Sequence, residues 1–415
     1  MKILFVSQRF VLPMDTGGKI RTGKTLEQLR VTHDVTLISN VETAREGRWL
    51  AEVDRLCGTF VAVEWREPQR YTLRFFVRLA LQVFSRYPVT VLNTYSRKLR
   101  RAIEELVARE RFDVIVCDFV QCGLLLRDVT RCPIVLFQHN VEATIPKRHF
   151  ERTTNVLARL FWWLQWRKLD AYERYFCNRF DHVIAVSEND RDEFVERYGV
   201  TRCTAIPTGV DTDYYAPRAL DEAATRDLVF CGSMDWLPNE DAVLWLVRDI
   251  LPAVQRRIPT ARLTVVGRKP TPTILAATQG RDDVTLTGWV EDTRPYLARG
   301  AVFVVPIRIG GGTRMKIFEA MAMGRPVVST QIGAEGLPVT SGANCFIEDD
   351  PEAFAERTAS LLADAPLRAR LGQAAHRFVA ERFSWQSVGV EFADICTKVA
   401  ATGGRSDATA ERLRA

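Results

Sequence analysis

Gly310-Gly311-Gly312-Thr313-Arg314-Met315-Lys316-Ile317-Phe318-Glu319-Ala320-Met321-Ala322-Met323-Gly324-Arg325-Pro326-Val327-Val328-Ser329-Thr330 is the stretch from which the fold can be read. The apolar run Ala301 to Pro306 precedes it and has the character of a strand buried on both faces of a parallel sheet. Three successive glycines then bare the backbone, so that N–H groups can approach an anion. A helix is expected from about Thr313, with its positive dipole end facing the same space. Arg314 and Lys316 add charge there, and Glu319 follows about one turn on. Gly324 and Pro326 end the helix, and Val327 to Thr330 reads as the next buried strand. The arrangement suits a diphosphate that also carries hydroxyls. Part of the pattern is shared by any helix start with solvated charges.

The same alternation runs along the whole chain. Strand-length apolar runs occur at 2–7, 34–39, 60–65, 113–117, 133–138, 182–187 and 204–207, then at 228–232, 262–267, 284–288, 302–306, 327–330 and 345–347. Longer helical patterns separate them, which predicts βαβ units and parallel sheets. The segment 210–226 is polar, contains Pro217 and several acids, and reads as a link between two doubly wound domains. Ligands of such sheets bind beyond the carboxyl ends of the strands.

Composition narrows the functional classes. The chain has 415 residues, 47% hydrophobic and 26% charged, which fits two to three globular domains. A net charge of +6 and a pI near 8.9 suit anionic substrates or an anionic membrane, and are no nucleic-acid signature alone. Nine cysteines are scattered without a Cys-x-x-Cys pair, as in a reduced cytoplasmic protein with buried thiols. Five separated histidines predict no metal cluster. The apolar start Met1–Ser7 is too short for a signal peptide, and no window reaches a spanning length.

Several further segments carry polar groups to strand ends. Pro13-Met14-Asp15-Thr16-Gly17-Gly18-Lys19-Ile20-Arg21 follows the first strand as a glycine turn before a helix. It lacks the Gly-x-Gly-x-x-Gly of dinucleotide enzymes. Phe137-Gln138-His139-Asn140-Val141-Glu142 places His139 and Asn140 at a carboxyl edge, with Asp118 a weaker candidate beside them. A lone histidine is more often structural than catalytic, and both readings stand. Ser187-Glu188-Asn189-Asp190 has the spacing of a helix capping box. Gly232 and Ser233, after the first strand of the second half, can offer backbone N–H groups. Arg70, Arg74 and Arg78 recur every four residues, and 156–169 holds Phe161, Trp162, Trp163 and Trp166 among Arg159, Arg167 and Lys168. Basic aromatic helices of this kind suit a membrane interface or an ordinary core face.

The glycine-rich helix start together with Glu319, Ala320-Met321-Ala322 and Gly324-Arg325-Pro326-Val327-Val328 resembles the C-terminal domain of GT-B glycosyltransferases of group 1, family 4. That family carries two glutamates eight residues apart. Here the second is Glu319, and 319 − 8 = 311 places Gly311 where the first would stand. The Gly-Gly-Gly-Thr-Arg-x-Lys form is similar to a branch linked to exopolysaccharide assembly. The resemblance covers nearly the whole chain. It implies an α/β GT-B fold: an N-terminal acceptor-side Rossmann-like domain (1–210), a C-terminal nucleotide-sugar domain (211–385), a helix returning to the first domain (386–401) and a loose tail (402–415).

The resemblance also implies transfer of a sugar from a nucleotide-diphosphate sugar to a hydroxyl, with retention, without a metal and with no cofactor beyond the co-substrate. Arg314, Lys316 and the amides of Gly311, Gly312 and Thr313 would stabilise the leaving diphosphate. Glu319 would take the ribose hydroxyls, Gly17 and Gly18 would lie near the diphosphate, and Gly267 and Val290 beside the base. His139, with Asn140, matches a His-Asn-x-Glu motif whose histidine lies beside the donor sugar. Family members commonly carry an Arg and a Lys after the strand ending at Cys231. This chain has Asp235-Trp236-Leu237-Pro238-Asn239-Glu240-Asp241 instead, so Arg314 and Lys316 are expected to take over that charge. Expected partners are a nucleotide sugar, a glycan or lipid-linked acceptor and an anionic membrane, with no nucleic acid; the expected place is the cytoplasm, peripheral to the inner membrane face. A sugar-nucleotide epimerase on the same fold and a non-catalytic sugar-nucleotide or assembly module are the alternatives.

Overall fold

The computed structural model describes residues 1–66, 72–218, 226–309 and 315–402. The chain divides into two compact units, Met1–Pro207 with Val388–Ala415, and Thr208–Ser387. The link read at 210–226 thus begins inside the second unit, and the chain re-enters the first at Val388.

The first unit is built on seven strands: β1 (Lys2–Ser7), β2 (Asp34–Val41), β3 (Thr59–Glu64), β4 (Val114–Asp118), β5 (Ile134–Phe137), β6 (His182–Ala185) and β7 (Cys203–Ala205). Their order is β3-β2-β1-β4-β5-β6-β7, and every pairing is parallel. β1 and β4 are buried along almost their full length, because Ile, Leu, Val and Phe meet helices on both faces of a parallel sheet. Helix α1 (Gly17–Thr32) follows β1, α2 (Leu73–Phe84) follows β3, α3 (Val156–Arg179) precedes β6 and α4 (Glu188–Tyr198) follows it.

The second unit has six strands: β8 (Asp227–Cys231), β9 (Arg262–Val266), β10 (Val284–Leu286), β11 (Val302–Val305), β12 (Val327–Ser329) and β13 (Phe346–Ile347). Their order is β10-β9-β8-β11-β12-β13, again parallel throughout. Helix α5 (Met315–Ala322) connects β11 to β12, and Ile317, Phe318, Ala320 and Met321 enter the core. Gly324, with φ +70°, ends that helix before Pro326. The last helix, α6 (Trp385–Ala401), belongs to the first unit from Val388 on. Its Phe392 meets Phe137 edge-on at 5.0 Å, and Gly389 lies flush against Gln28.

All the expected strands form, with ends displaced by one or two residues. Gln138, Ser187, Gly232 and Gly267 drop out of their ladders because they turn into the loops that follow. In each sheet the order reverses about one strand, between β1 and β4 and between β8 and β11. The carboxyl edge at such a switch point is where α/β sheets bind ligands. Of the expected tail 402–415, residues 403–415 lie outside the described residues. None of the nine cysteines is bridged, and all but Cys203 are buried.

Candidate functional site

In the first unit the switch point brings Ser7 and Asp118 into register at the ends of β1 and β4. Asp118 is 1% exposed and becomes a hub. Ser7 Oγ donates to its Oδ2 at 2.8 Å, Thr22 Oγ1 lies 3.1 Å from both oxygens, and His139 Nε2 lies 2.9 Å from Oδ1. His139, 6% exposed, stacks on Phe119 at 3.8 Å and leans on Phe137 at 4.4 Å. Burial lowers its pKa, Asp118 opposes that, and the Arg21 charge adds to the lowering. Its Nδ1 is buried without a hydrogen-bond partner.

The loop that carries His139 is fixed from behind. Glu173 of α3, fully buried, accepts from Gln138 Nε2 (2.8 Å), the amides of Glu142 (2.9 Å) and Ala143 (3.0 Å) and the Tyr198 hydroxyl (3.0 Å). Burial pushes the Glu173 carboxyl up to about 8 against these donors. Gln138 Oε1 in turn accepts from the amide of Val120 at 2.9 Å. That bond helps hold Phe119 at φ +64°, a conformation rare outside glycine. Asn140 is exposed, and its side chain hydrogen-bonds Glu142.

Gly17 faces open space, whereas a Cβ on Gly18 would lie 3.0 Å from Phe119 Cζ. The second glycine is therefore accounted for by the aromatic ring under the helix start. Ser187 caps α4 as the capping box predicts, accepting from the Asp190 amide at 3.1 Å. Beside the start of α1, a cavity of about 390 Å³ is lined by residues that include Arg9, Lys19, Asn40, Glu42, Trp49 and Trp65.

In the second unit Lys316, in the first turn of α5, reaches the end of β8. Its Nζ donates to Cys231 O at 2.8 Å and Asn239 Oδ1 at 3.0 Å, and sits 4.4 Å from the centre of the Phe230 ring. Asn239 Nδ2 closes the turn by donating to Ser233 O at 2.9 Å. Glu319, one turn further along α5, is hydrogen-bonded to the Tyr215 hydroxyl; burial raises its pKa while Tyr215 and Lys316 oppose the rise. Gly267 crosses so close to β8 that a Cβ there would lie 1.6 Å from Gly232 O. Trp289 is 72% exposed, and Val290 is half-buried against the core. Gly310, Gly311, Gly312, Thr313 and Arg314 lie outside the described residues.

The Asp235 segment is not left without cations. Arg268 Nε donates to Ser233 Oγ at 3.0 Å, and Lys269 Nζ to Asp235 Oδ2 at 3.0 Å. An Arg-Lys pair therefore stands at the end of the neighbouring strand β9. Arg308, just after β11, is held by Asp241 at 2.7 and 3.0 Å and lies over Trp245. Sequence reasoning missed Arg268, Lys269, Asn239, Tyr215 and Glu173. The strand-terminal position of Arg268-Lys269 was the available signal; the other three act through tertiary contacts.

Two Asp-x-Asp spacings exist, at 190–192 and 211–213. Asp190 is bound by Ser187, Asp192 by Arg191, and Asp211 accepts the Tyr214 amide. Among the described residues no three His, Cys, Asp or Glu converge as a metal set, and no helix is long and apolar enough to cross a membrane.

Two parallel Rossmann-like units, each with its polar groups at the switch point, define the GT-B class. An Anabaena HepE protein, solved in complex with UDP, superposes with a TM-score of 0.64 at 15% identity, over 96% of this chain and all of that one (100%). The sequence profile of Glycosyltransferase Family 4 matches residues 26–214, and that of Glycosyl transferases group 1 matches 225–364. A 44.6 kDa protein in the cps region of Klebsiella pneumoniae is 22% identical over 368 residues, 86% of this chain and 89% of its own length. A GDP-mannose-dependent alpha-(1-6)-phosphatidylinositol monomannoside mannosyltransferase of Mycolicibacterium smegmatis is 29% identical over 245 residues, which span 54% of this chain and 63% of the relative. The chain is a glycosyltransferase of group 1, family 4, and transfers a sugar from a nucleotide sugar.

Proposed function

We propose that this enzyme transfers its sugar to a hydroxyl of a glycan or lipid-linked saccharide in polysaccharide assembly, with retention and without a metal ion. The observation that carries the reading is the pairing of Lys316 with the end of β8, one helical turn from Glu319. A fixed cation there can take the charge that develops on a departing diphosphate, and it needs no reorganisation to do so. Arg268, Lys269 and, from the sequence, Arg314 with the amides of Gly311, Gly312 and Thr313 reinforce it. Gly232 and Ser233 supply the adjoining backbone turn, and Glu319 takes the ribose diol. Gly267 and Val290 border the base. His139, oriented by Asp118, faces the reacting sugar with Asn140 beside it, and Gly17 opens the first unit towards substrate while Gly18 lets the turn seat against Phe119.

The cavity bearing Trp49, Trp65, Asn40, Glu42 and Arg9 favours a saccharide acceptor, since indole faces pack on sugar rings while the polar groups take hydroxyls. The cps-region relative supports a polysaccharide role, and the phosphatidylinositol monomannoside enzyme supports a lipid-linked acceptor. The test is product formation from a panel of sugar nucleotides, with and without EDTA, and NMR of the product anomer. Transfer that persists in EDTA with the donor's anomeric configuration is expected. Loss on chelation restored by manganese, or an inverted product, overturns it.

The exposed apolar face of α3, where Val156, Leu157, Leu160 and Trp163 stand among Arg159 and Arg167, supports a peripheral position at an anionic membrane.

A further inference from the structure

We propose that a cavity of the second unit, beyond the carboxyl end of α5, binds a small phosphate-bearing molecule. The cavity holds about 740 Å³, a volume typical of small-ligand pockets, and its lining includes Arg218, Arg325, Arg368, Arg377, His376 and Glu381. Four arginines there face a single acid. Lys316 stands in the first turn of α5 and the cavity at its far end, and the eight residues of that helix span roughly 12 Å. The two sites therefore do not overlap.

Local structure sets these groups in place. The amide of Gly324 donates to Met321 O at 2.9 Å and that of Arg325 to Ala320 O at 3.0 Å, the paired closure of a Schellman turn. The helix Ala365–Arg382 packs directly on this turn, because a Cβ on Gly372 would lie 2.2 Å from Gly324 O. That helix brings Arg368, His376, Arg377 and Glu381 to the cavity wall. Helix ends account for two of the cationic or ionisable groups. His376 Nδ1 donates to Ala322 O at 2.8 Å at the end of α5. Arg368 Nη1 donates to Leu361 O at 2.8 Å and Leu362 O at 3.1 Å at the end of the helix Pro351–Ala363. They do not account for Arg218, Arg325 and Arg377.

Arg325 is 5% exposed, its Nε is buried without a partner, and its Nη2 donates only to the carbonyl of Arg218. Among the described residues none of the four guanidiniums is paired with a carboxylate. Asp364, whose charge acts on Arg368, caps its own helix by accepting the Leu367 amide at 2.8 Å. Asp292, which feels Arg218, is held by Arg294 at 2.7 Å. Burial and the neighbouring charge of Arg368 lower the Arg325 pKa to about 10, which leaves it cationic at neutral pH. Buried cations that repel one another are costly until an anion joins them. A phosphomonoester carries about −1.5 to −2 charge at pH 7 and three acceptor oxygens, which matches this surplus better than one carboxylate. Guanidinium forks bind such oxygens in pairs, and the volume leaves room for an attached sugar-sized group.

The phosphate can be the free ion or an ester, and His376 on the cavity wall reports either. In the full-length protein, its ring resonances, assigned through His376→Gln, should shift saturably with inorganic phosphate and with mannose 6-phosphate, and only at far higher concentration with glucuronate. Tighter binding of mannose 6-phosphate assigns the site to an organic ester, and tighter binding of inorganic phosphate assigns it to the free ion. Arg325→Gln keeps a donor for Arg218 O but removes the charge. It should need ten-fold or more phosphate for the same shift and melt no lower than wild type. Arg218→Gln with Arg377→Gln, both on exposed residues, should weaken binding several-fold and tests the charge even if Arg325→Gln does not fold. The proposal is overturned by a His376 that ignores both phosphates, by glucuronate binding as tightly as either, or by wild-type responses in the arginine variants. Since no transfer is measured, its failure is separate from failure of metal-independent, retaining transfer.

Discussion

Asp118 gathers hydrogen bonds from Ser7 at the end of β1, Thr22 on α1 and His139 beyond β5. A carboxylate that accepts from His139 Nε2 places the imidazole proton there and leaves Nδ1 as an acceptor. Because the folded midpoint lies below the ordinary 6.5, this histidine contributes stability that is fully present above pH 6.5 and is lost as pH falls through the folded midpoint. Histidine NMR should therefore find His139 neutral at pH 6.5, and Asp118→Asn should lower its midpoint further. A wild-type midpoint at or above 6.5 would remove the argument. His139→Ala should lower turnover far more than nucleotide affinity; wild-type turnover returns the residue to a purely structural role. At the other edge, Glu319→Gln exchanges an ionised acceptor for a neutral one. A charge-assisted hydrogen bond is worth about 1.5–3 kcal/mol, so nucleotide binding should weaken by roughly one to two decades. Isothermal titration of the folded variant with nucleoside diphosphates checks this, and unchanged affinity displaces Glu319 from the ribose.

At the scale of elements, β8 and β9 approach so closely that Gly267 has no room for a side chain beside Gly232 O, and its φ is +155°. Gly267→Ala must push these strand ends apart and shift the turn that Lys316 and Asn239 grip. It should destabilise the fold by ~2 kcal/mol or more, read as a lower urea midpoint, and weaken donor binding with it. A variant with wild-type stability would show that the strands part freely. Such contacts explain which parts of the structure were legible in the sequence. Parallel strands buried on both faces leave continuous apolar runs, so each run located its strand. Polar residues ending those runs marked His139 and Asp118. The backbone conformation of Phe119 leaves no sequence signature, because Gln138 and the ring stack impose it. The burial of Arg21 was hidden for a related reason: a cation early in a helix reads as solvent-exposed. The Asn239 clamp lay within a segment noted only for lacking the family's cations.

At the scale of the whole molecule, a net charge of +6 accompanies an exposed apolar surface at the start of α3. The aromatic set read at 156–169 divides between two environments. Trp162 stacks on His149 at 4.4 Å and Trp166 on Phe150 at 6.0 Å, whereas Trp163 is exposed with Val156, Leu157 and Leu160. These four positions fall on one side of the first turns of α3, where the first turn has no acid. Lys168 Nζ donates to Val83 O and so ties α3 to the end of α2, where Leu81 and Phe84 are also exposed. Arg70 and the side chains of Arg74 and Arg78 lie outside the described residues. Burying a leucine side chain fully contributes about 1.5–3 kcal/mol, and a basic residue at an anionic surface about 1 kcal/mol. Leu157→Ser with Leu160→Ser should thus weaken binding to phosphatidylglycerol-containing vesicles by roughly two decades in co-sedimentation. Arg159→Gln with Arg167→Gln should weaken it less and remove most of its salt dependence. Both double variants should keep wild-type turnover on a water-soluble acceptor, because none of these side chains belongs to either sheet edge. If the wild-type protein fails to sediment with anionic vesicles at low salt, or if the serine variant sediments equally well, the exposed face of α3 has some other use.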